Sequence, residues 1–171
     1  MRKLRYGLAA SVAVAAATLS PAPASAAAPG TPPDTEQHCT ASLDTGAVNC
    51  FDSYADALAP LERPASGERT PNSARDGQVI VGTFYTETGY GGSTFTVYGG
   101  SPCVGDGKAN WFMGSFPEWA HGTRSLQTWA DCGIYVYSEE NYAGTKDGRF
   151  DGNVPDIGSL VGGNVKSATF H

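Results

Sequence analysis

Tyr85-Thr86-Glu87-Thr88-Gly89-Tyr90-Gly91-Gly92 and Tyr137-Ser138-Glu139-Glu140-Asn141-Tyr142-Ala143-Gly144 share one pattern at an offset of 52 residues. In each, two tyrosines bracket a short polar turn, and a glycine follows where a folded-over hairpin needs positive φ, which costs little only for glycine. Working outward, Pro117-Glu118-Trp119 parallels Pro155-Asp156-Ile157, and Ser125-Leu126 parallels Ser167-Ala168 at an offset of 42. The chain therefore contains a duplicated unit whose first copy carries an insertion of about ten residues. The insertion is expected between Cys103 and Trp111, around Gly105-Asp106-Gly107-Lys108.

Val79, Val81, Phe95, Val97, Ile134 and Val136 lie in short alternating or β-branched segments separated by glycine-rich turns, the signature of a β-sandwich. Upstream, Cys39 and Cys50 flank Leu43 to Ala47, so a disulfide-clipped hairpin is expected, followed by a short helix capped by Asp52 or Ser53, running through Leu58 and ended by Pro60. Residues 62–77, with Pro64, Gly67 and Pro71, read as a linker, and a sizeable core is expected only from Gln78 onward.

Aromatic-x4-aromatic-x-Gly, with a serine some 25 to 35 residues later, resembles the Greek-key motif of the βγ-crystallin superfamily over about residues 79–171. The resemblance implies an all-β, βγ-crystallin-like double Greek-key sandwich, with motifs at about 79–129 and 133–171, preceded by the small hairpin/helix module at 36–61. It also implies that Ser125 and Ser167 hydrogen-bond across the base of each hairpin. The whole chain further looks like a group of secreted bacterial proteins, some labelled peptidase inhibitors and others similar to small antifungal or killer-toxin-like proteins.

Export is read from the first residues. Arg2, Lys3 and Arg5 precede an apolar run from Leu8 to Leu19, and Ala24-Ser25-Ala26 supplies the small residues of a cleavage site. Residues 1–26 are thus expected to be a signal peptide for the general secretory route, and 27–35 a leader. Four cysteines, Cys39, Cys50, Cys103 and Cys132, form two disulfides in an oxidising compartment. Three pairings exist, and nearness favours Cys39 with Cys50. The net charge of −6 becomes −9 without the three basic residues of the signal. An acidic chain without a basic cluster excludes nucleic acid and anionic membranes as partners.

The chemistry of catalysis is missing from the sequence. No Gly-x-Ser-x-Gly occurs, and the histidines are His38, His121 and His171. His121 near Glu118 and Ser115 is a loop histidine, and Glu139-Glu140 a solvated turn, because adjacent strand residues face opposite ways. Cys-x-x-Cys spacing is absent. The expected function is binding, first to an extracellular peptidase as an inhibitor, with cell-wall glycan attachment in a structural or stress role, or an antifungal toxin role, as alternatives. Trp111, Phe112, Phe116, Trp119 and Trp129 read mainly as packing. Gly105, Asp106, Gly107 and Lys108, with Trp111 and Trp119 flanking them, are the candidate partner-binding residues of an expected monomer.

Many microbial βγ-crystallins hold calcium through Asn/Asp-Asn/Asp-x-x-Ser/Thr-Ser. Calcium takes several oxygen ligands. Aligned on Ser125, the acidic pair falls on Ala120 and His121 and the hydroxyl on Arg124; aligned on Ser167, they fall on Gly162, Gly163 and Lys166. No cofactor is expected. Each basic side chain is expected to take over part of the tether by pairing with a carboxylate or carbonyl. Millimolar calcium should leave the melting temperature unchanged, because a ligand stabilises only what it binds. A melt raised by several degrees, or micromolar affinity by calorimetry, would reverse this expectation.

Overall fold

The computed structural model describes residues 36–62 and 78–171. The signal and leader, and the linker apart from Glu62, lie outside the described residues. Among the described residues, ten strands and one α-helix follow in order: β1 (His38–Ser42), β2 (Val48–Phe51), α1 (Tyr54–Glu62), β3 (Val79–Tyr85), β4 (Thr94–Gly99), β5 (Trp111–Met113), β6 (Ser125–Thr128), β7 (Ile134–Tyr137), β8 (Lys146–Phe150), β9 (Asn153–Val154) and β10 (Ser167–Phe170).

The first motif is β3 to β6 and the second β7 to β10, and each gives its third strand away. Sheet order is β2-β1-β4-β3-β6-β9 in one layer and β5-β10-β7-β8 in the other. β5 thus pairs with β10 of the second motif, and β9 with β6 of the first. Alternation along the strands sends Ile134, Val136, Ala168 and Phe170 of one sheet and Val81, Phe84, Phe95 and Leu126 of the other into one core. Phe84 meets Phe170 edge-to-face at 6.3 Å across that interface. Gly82, at a β-bulge, sits where a Cβ would lie 2.8 Å from Ile134 Cδ1, so the facing sheet packs into the space of a missing side chain.

The module upstream is part of this sandwich. β1 runs parallel to β4, with Cys39 opposite Phe95, and Cys39 and Ala41 are fully buried in the same core. This corrects the expectation that the core begins at Gln78. Cys39 is bonded to Cys50 of β2, and Cys103 to Cys132. Ser53 caps α1, its Oγ accepting the Asp56 N–H at 3.1 Å while its hydroxyl donates to Asp56 Oδ2 at 2.7 Å. The helix does not stop at Pro60 but runs to Glu62 with the proline inside it. Proline removes the bond to the carbonyl four residues earlier, and here that residue is Asp56, on the exposed side of the helix.

The parallel drawn between Pro117-Glu118-Trp119 and Pro155-Asp156-Ile157 is also corrected. Asn141 N–H donates to the Gly114 carbonyl as Gly89 N–H donates to that of Pro155, and Phe116 N–H donates to Lys166 as Ile157 N–H donates to Arg124. The true counterpart of Ile157 is Phe116, and both are buried. The eye is caught by Pro-acid-apolar, whereas the fold aligns the residues that fill the core.

Both hairpins are closed by a serine. Ser125 Oγ donates to the Glu87 carbonyl at 2.6 Å and accepts the Tyr90 N–H at 3.0 Å. Ser167 Oγ does the same with Glu139 and Tyr142, at 2.7 and 3.0 Å. Both serines are fully buried, so removing the hydroxyl strands a donor and an acceptor together. Ser125→Ala and Ser167→Ala should each cost about 2 kcal/mol in urea unfolding at pH 7, with unchanged m-value. A loss below about 0.5 kcal/mol in both would show that the clasps do not hold the hairpins.

Candidate functional site

The extra residues of the first motif lie between β4 and β5, at 100–110, whereas β8 and β9 are joined by only a tight turn. The disulfide at Cys103 ties the start of this loop to the β6–β7 turn, where the Cys103 N–H also donates to the Ala130 carbonyl at 3.0 Å. Asn110 holds its other end, its N–H donating to the Phe170 carbonyl and its Oδ1 accepting the Val104 N–H. Trp111 Nε1 donates to the Ser101 carbonyl at 3.0 Å, and its ring lies on Gly99, where a Cβ would clash.

Gly105, Asp106, Gly107 and Lys108 are exposed at the tip. Asp106 Oδ1 accepts the Lys108 N–H at 2.9 Å and Oδ2 faces Lys108 Nζ at 3.8 Å; exposed as it is, that pair contributes at most about 1 kcal/mol. Two features of the loop escape sequence reasoning. Val104 is 70% exposed, more than any other large apolar residue of the described chain. His171 braces the tip, its Nδ1 lying 3.3 Å from the Gly107 carbonyl and Nε2 3.0 Å from Thr169 Oγ1. A carbonyl only accepts, so Nδ1 carries the proton.

Trp119 is not brought to the loop. It packs edge-on against Phe95 at 5.9 Å, while Trp111 packs against Gly99, four residues away and so about 13 Å along β4. The expectation that both tryptophans flank the insertion is corrected; each is half-buried packing. Phe112 and Trp129 are the aromatics of that stretch that reach solvent, at 54% and 44% exposure.

His121 makes no bond to Ser115 or Glu118 among the hydrogen bonds of the described residues. His121 Nε2 lies 3.1 Å from the Phe116 carbonyl, and Ser115 Oγ donates to Glu140 Oε1 of the other motif at 3.0 Å. Glu139 and Glu140 are exposed in the second hairpin. At the calcium-motif positions, Ala120 is buried and Arg124 lies over Gly163, whose Cβ would sit 3.2 Å from a guanidinium nitrogen. Ion pairs among the described residues are His38–Glu36, Lys108–Asp106 and Arg149–Asp151. Neither Arg124 nor Lys166 is among them, so the expected tether to a carboxylate is not seen among the described residues. No group of three or more His, Cys, Asp or Glu among the described residues converges as metal ligands do.

The chain matches no family model and no curated protein. Among solved structures, it is similar to a double mutant of clostrillin in complex with nickel, at 20% identity and TM-score 0.42 over 54% of this chain and 99% of that one. A βγ-crystallin domain from Clostridium beijerinckii is similar at 20% identity and TM-score 0.41, over 53% and 97%. The fifth crystallin domain of the non-lens protein Absent in melanoma 1 follows at 17% identity and TM-score 0.40, over 56% and 90%. These are likenesses of fold. The fold of this chain is a βγ-crystallin-like double Greek key, an assignment carried by its own strand exchange and paired serine clasps.

Tyr85 opens the first hairpin from a buried position, donating to Gln127 Oε1 at 2.6 Å. Burial, then the Tyr54 hydroxyl and the charges of Tyr54 and Tyr90, push its phenol well above the ordinary value of 10.0. The folded state therefore keeps a proton that the unfolded chain releases. The stabilisation is whole below pH 10 and is lost as pH rises towards the folded value. Denaturant unfolding at pH 9 to 11.5 should show stability falling above about pH 10, and Tyr85→Phe should flatten that fall. An unchanged slope in Tyr85→Phe would place the alkaline weakness elsewhere.

Proposed function

We propose that this chain is an exported, non-catalytic binding protein that presents its inserted loop to an extracellular protein, first of all a peptidase, as an inhibitor. The observation that carries the reading is Val104, 70% exposed beside a disulfide-bonded cysteine, its own N–H held by Asn110. A loop fixed at both ends loses little conformational freedom on docking, and an exposed apolar side chain on a rigid support is what a partner's pocket buries. Two disulfides agree with an oxidising compartment, and no helix among the described residues is long and apolar enough to cross a membrane. In this reading the protein works as a monomer without calcium.

A second reading, attachment to cell-wall glycan, is favoured by a different surface. On the outer face of the β5-β10-β7-β8 sheet, the exposed Phe112 packs on Tyr142 at 5.6 Å and Tyr142 on Tyr137 at 6.0 Å. Sugar rings stack on such faces.

The purified protein should inhibit at least one of a panel of secreted serine, cysteine and metallopeptidases. Val104→Asp should weaken inhibition about tenfold or more, since burying a valine is worth ~1.5–3 kcal/mol, without lowering the melting temperature. Inhibition untouched by Val104→Asp would remove the loop from the interface. No inhibition, together with retention on insoluble glycan that Phe112→Ala abolishes, would favour the second reading.

A further inference from the structure

Ile134, Val136, Ala168 and Phe170 of the four-stranded sheet point into the core. Alternation therefore sends Phe112 of β5, Thr169 of β10 and Tyr135 and Tyr137 of β7 to the outer face, with Phe112 and Tyr135 in register on either side of Thr169. Tyr142, from the second hairpin, joins the row 5.6 Å from Phe112 and 6.0 Å from Tyr137, its ring inclined to theirs at 65° and 73°. His171 closes the other side, 5.0 Å from Tyr135. Every apolar side chain of this set is aromatic.

β8 adds one cation. Lys146, in register with Tyr137, is exposed, and its Nζ lies 3.6 Å from the Tyr135 ring centroid and 5.9 Å from that of Tyr137. The ring face thus holds the ammonium. Acids outnumber Lys and Arg by 17 to 11 in the whole chain, yet Lys146 belongs to none of the ion pairs of the described residues. Two carboxylates near it in the chain are engaged elsewhere. Asp147 lies opposite the inward-facing Val136, with Oδ1 accepting the Gly148 N–H, and Glu140 Oε1 accepts the Ser115 hydroxyl.

We propose that this face binds a carboxylated glycan, with a sugar ring packed on the aromatic row and its carboxylate on Lys146 Nζ. The C–H face of a sugar packs on aromatic rings, and the tyrosine hydroxyls among them can exchange hydrogen bonds with the sugar's own. Charge then selects among glycans. Nζ stands above Tyr135 at the height of a stacked ring, so it meets a negative group borne by the sugar ring itself, as in a uronic acid. A phosphodiester lies between sugars, away from the stacked ring. The net negative charge of the chain opposes a polyanion at long range, but screening at physiological salt limits that field to about 8 Å. On the glycan reading, on which this rests, the class of sugar is thereby fixed as acidic.

Titration calorimetry of the intact chain with a galacturonic acid hexamer, and with the same hexamer carboxyl-reduced to neutral galactose, tests it. The acidic hexamer should bind about fivefold more tightly than the neutral one at low salt. Lys146→Met, which keeps the stem and removes the charge, should erase that difference, and Lys146→Arg should keep it. Phe112→Ala should weaken binding of both hexamers without lowering the melting temperature. Neutral and acidic hexamers bound equally would overturn the inference and leave glycan attachment standing, whereas binding of neither would remove both. Acidic binding untouched by Lys146→Met or by Phe112→Ala overturns the inference as well. So does a dimer in sedimentation that Phe112→Ala makes monomeric, because a second copy then occupies this face.

Discussion

A tyrosine with positive φ is an expensive residue, and each half of this sandwich contains one. Tyr90 and Tyr142 are held at φ 69° and 66°, each preceded by another left-handed residue, Gly89 or Asn141. Such backbone persists only where the surroundings over-determine it. Here the determinant is a serine hydroxyl that takes the tyrosine's own N–H and returns a bond to the carbonyl three residues before it. The folded hairpin then sets each motif's first tyrosine edge-on against its second, Tyr85 on Tyr90 at 5.5 Å and Tyr137 on Tyr142 at 6.0 Å. Because each serine opens the motif's last strand, the same bond that fixes the hairpin fixes where the motif ends. The third strand, free of that clasp, crosses to the other sheet. Neither half completes its four-stranded pairing without the other, which ties the duplicated units into one core.

What departs from the duplication lies outside this frame: one disulfide staples β1 to β2 within the upstream addition, and the other ties the inserted loop to the β6–β7 turn. β1 and β2 extend the first sheet past β4, with Cys39 buried and Cys50 exposed; the 100–110 loop leaves from the far end of β4, with Cys103 and Cys132 both buried. Closing a loop in the unfolded chain removes entropy that folding would otherwise lose, and small added segments with little core of their own gain most from such staples. The exposed Val104 belongs to one of these additions. The Greek keys position them and contribute mainly core.

The duplicated hairpins and the clasping serines were legible because they depend on residue type: an aromatic, a glycine that only glycine can replace cheaply, a hydroxyl. Gly92 and Gly144, at φ 75° and 74°, are of this kind. The third-strand correspondence was not legible. Phe116 and Ile157 are equivalent through burial and backbone bonding, and the nearby prolines pointed to the wrong residues. Parallel pairing of β1 with β4 joins residues 56 apart, such as His38 and Thr94, and no local pattern reports contact at that range. The continuation of α1 through Pro60 fails for a related reason: propensity counts the lost bond but not which side of the helix it lies on. In the loop, glycines and charges marked the insertion, but the exposure of Val104 and the brace from His171 arise only once the chain is folded.

The corners of the sandwich show how the two motifs are held against each other. Each corner is a loop that must turn back on the neighbouring motif. At the first, the Gly163 N–H donates to Thr123, the Val165 N–H to His121 and the Ile157 N–H to Arg124; at the second, the Phe116 N–H donates to Lys166 and the Lys166 N–H to Tyr137. These are main-chain bonds between segments of opposite motifs or across a clasped hairpin, and they need no particular side chain. At Arg124 and Lys166 the backbone does the joining: the Arg124 carbonyl accepts from Ile157, and the Lys166 carbonyl accepts from Phe116. Arg124 fits closely over Gly163, where a larger residue would press on the guanidinium. The corner is thus built from backbone complementarity, and the side chains above it are left free to vary.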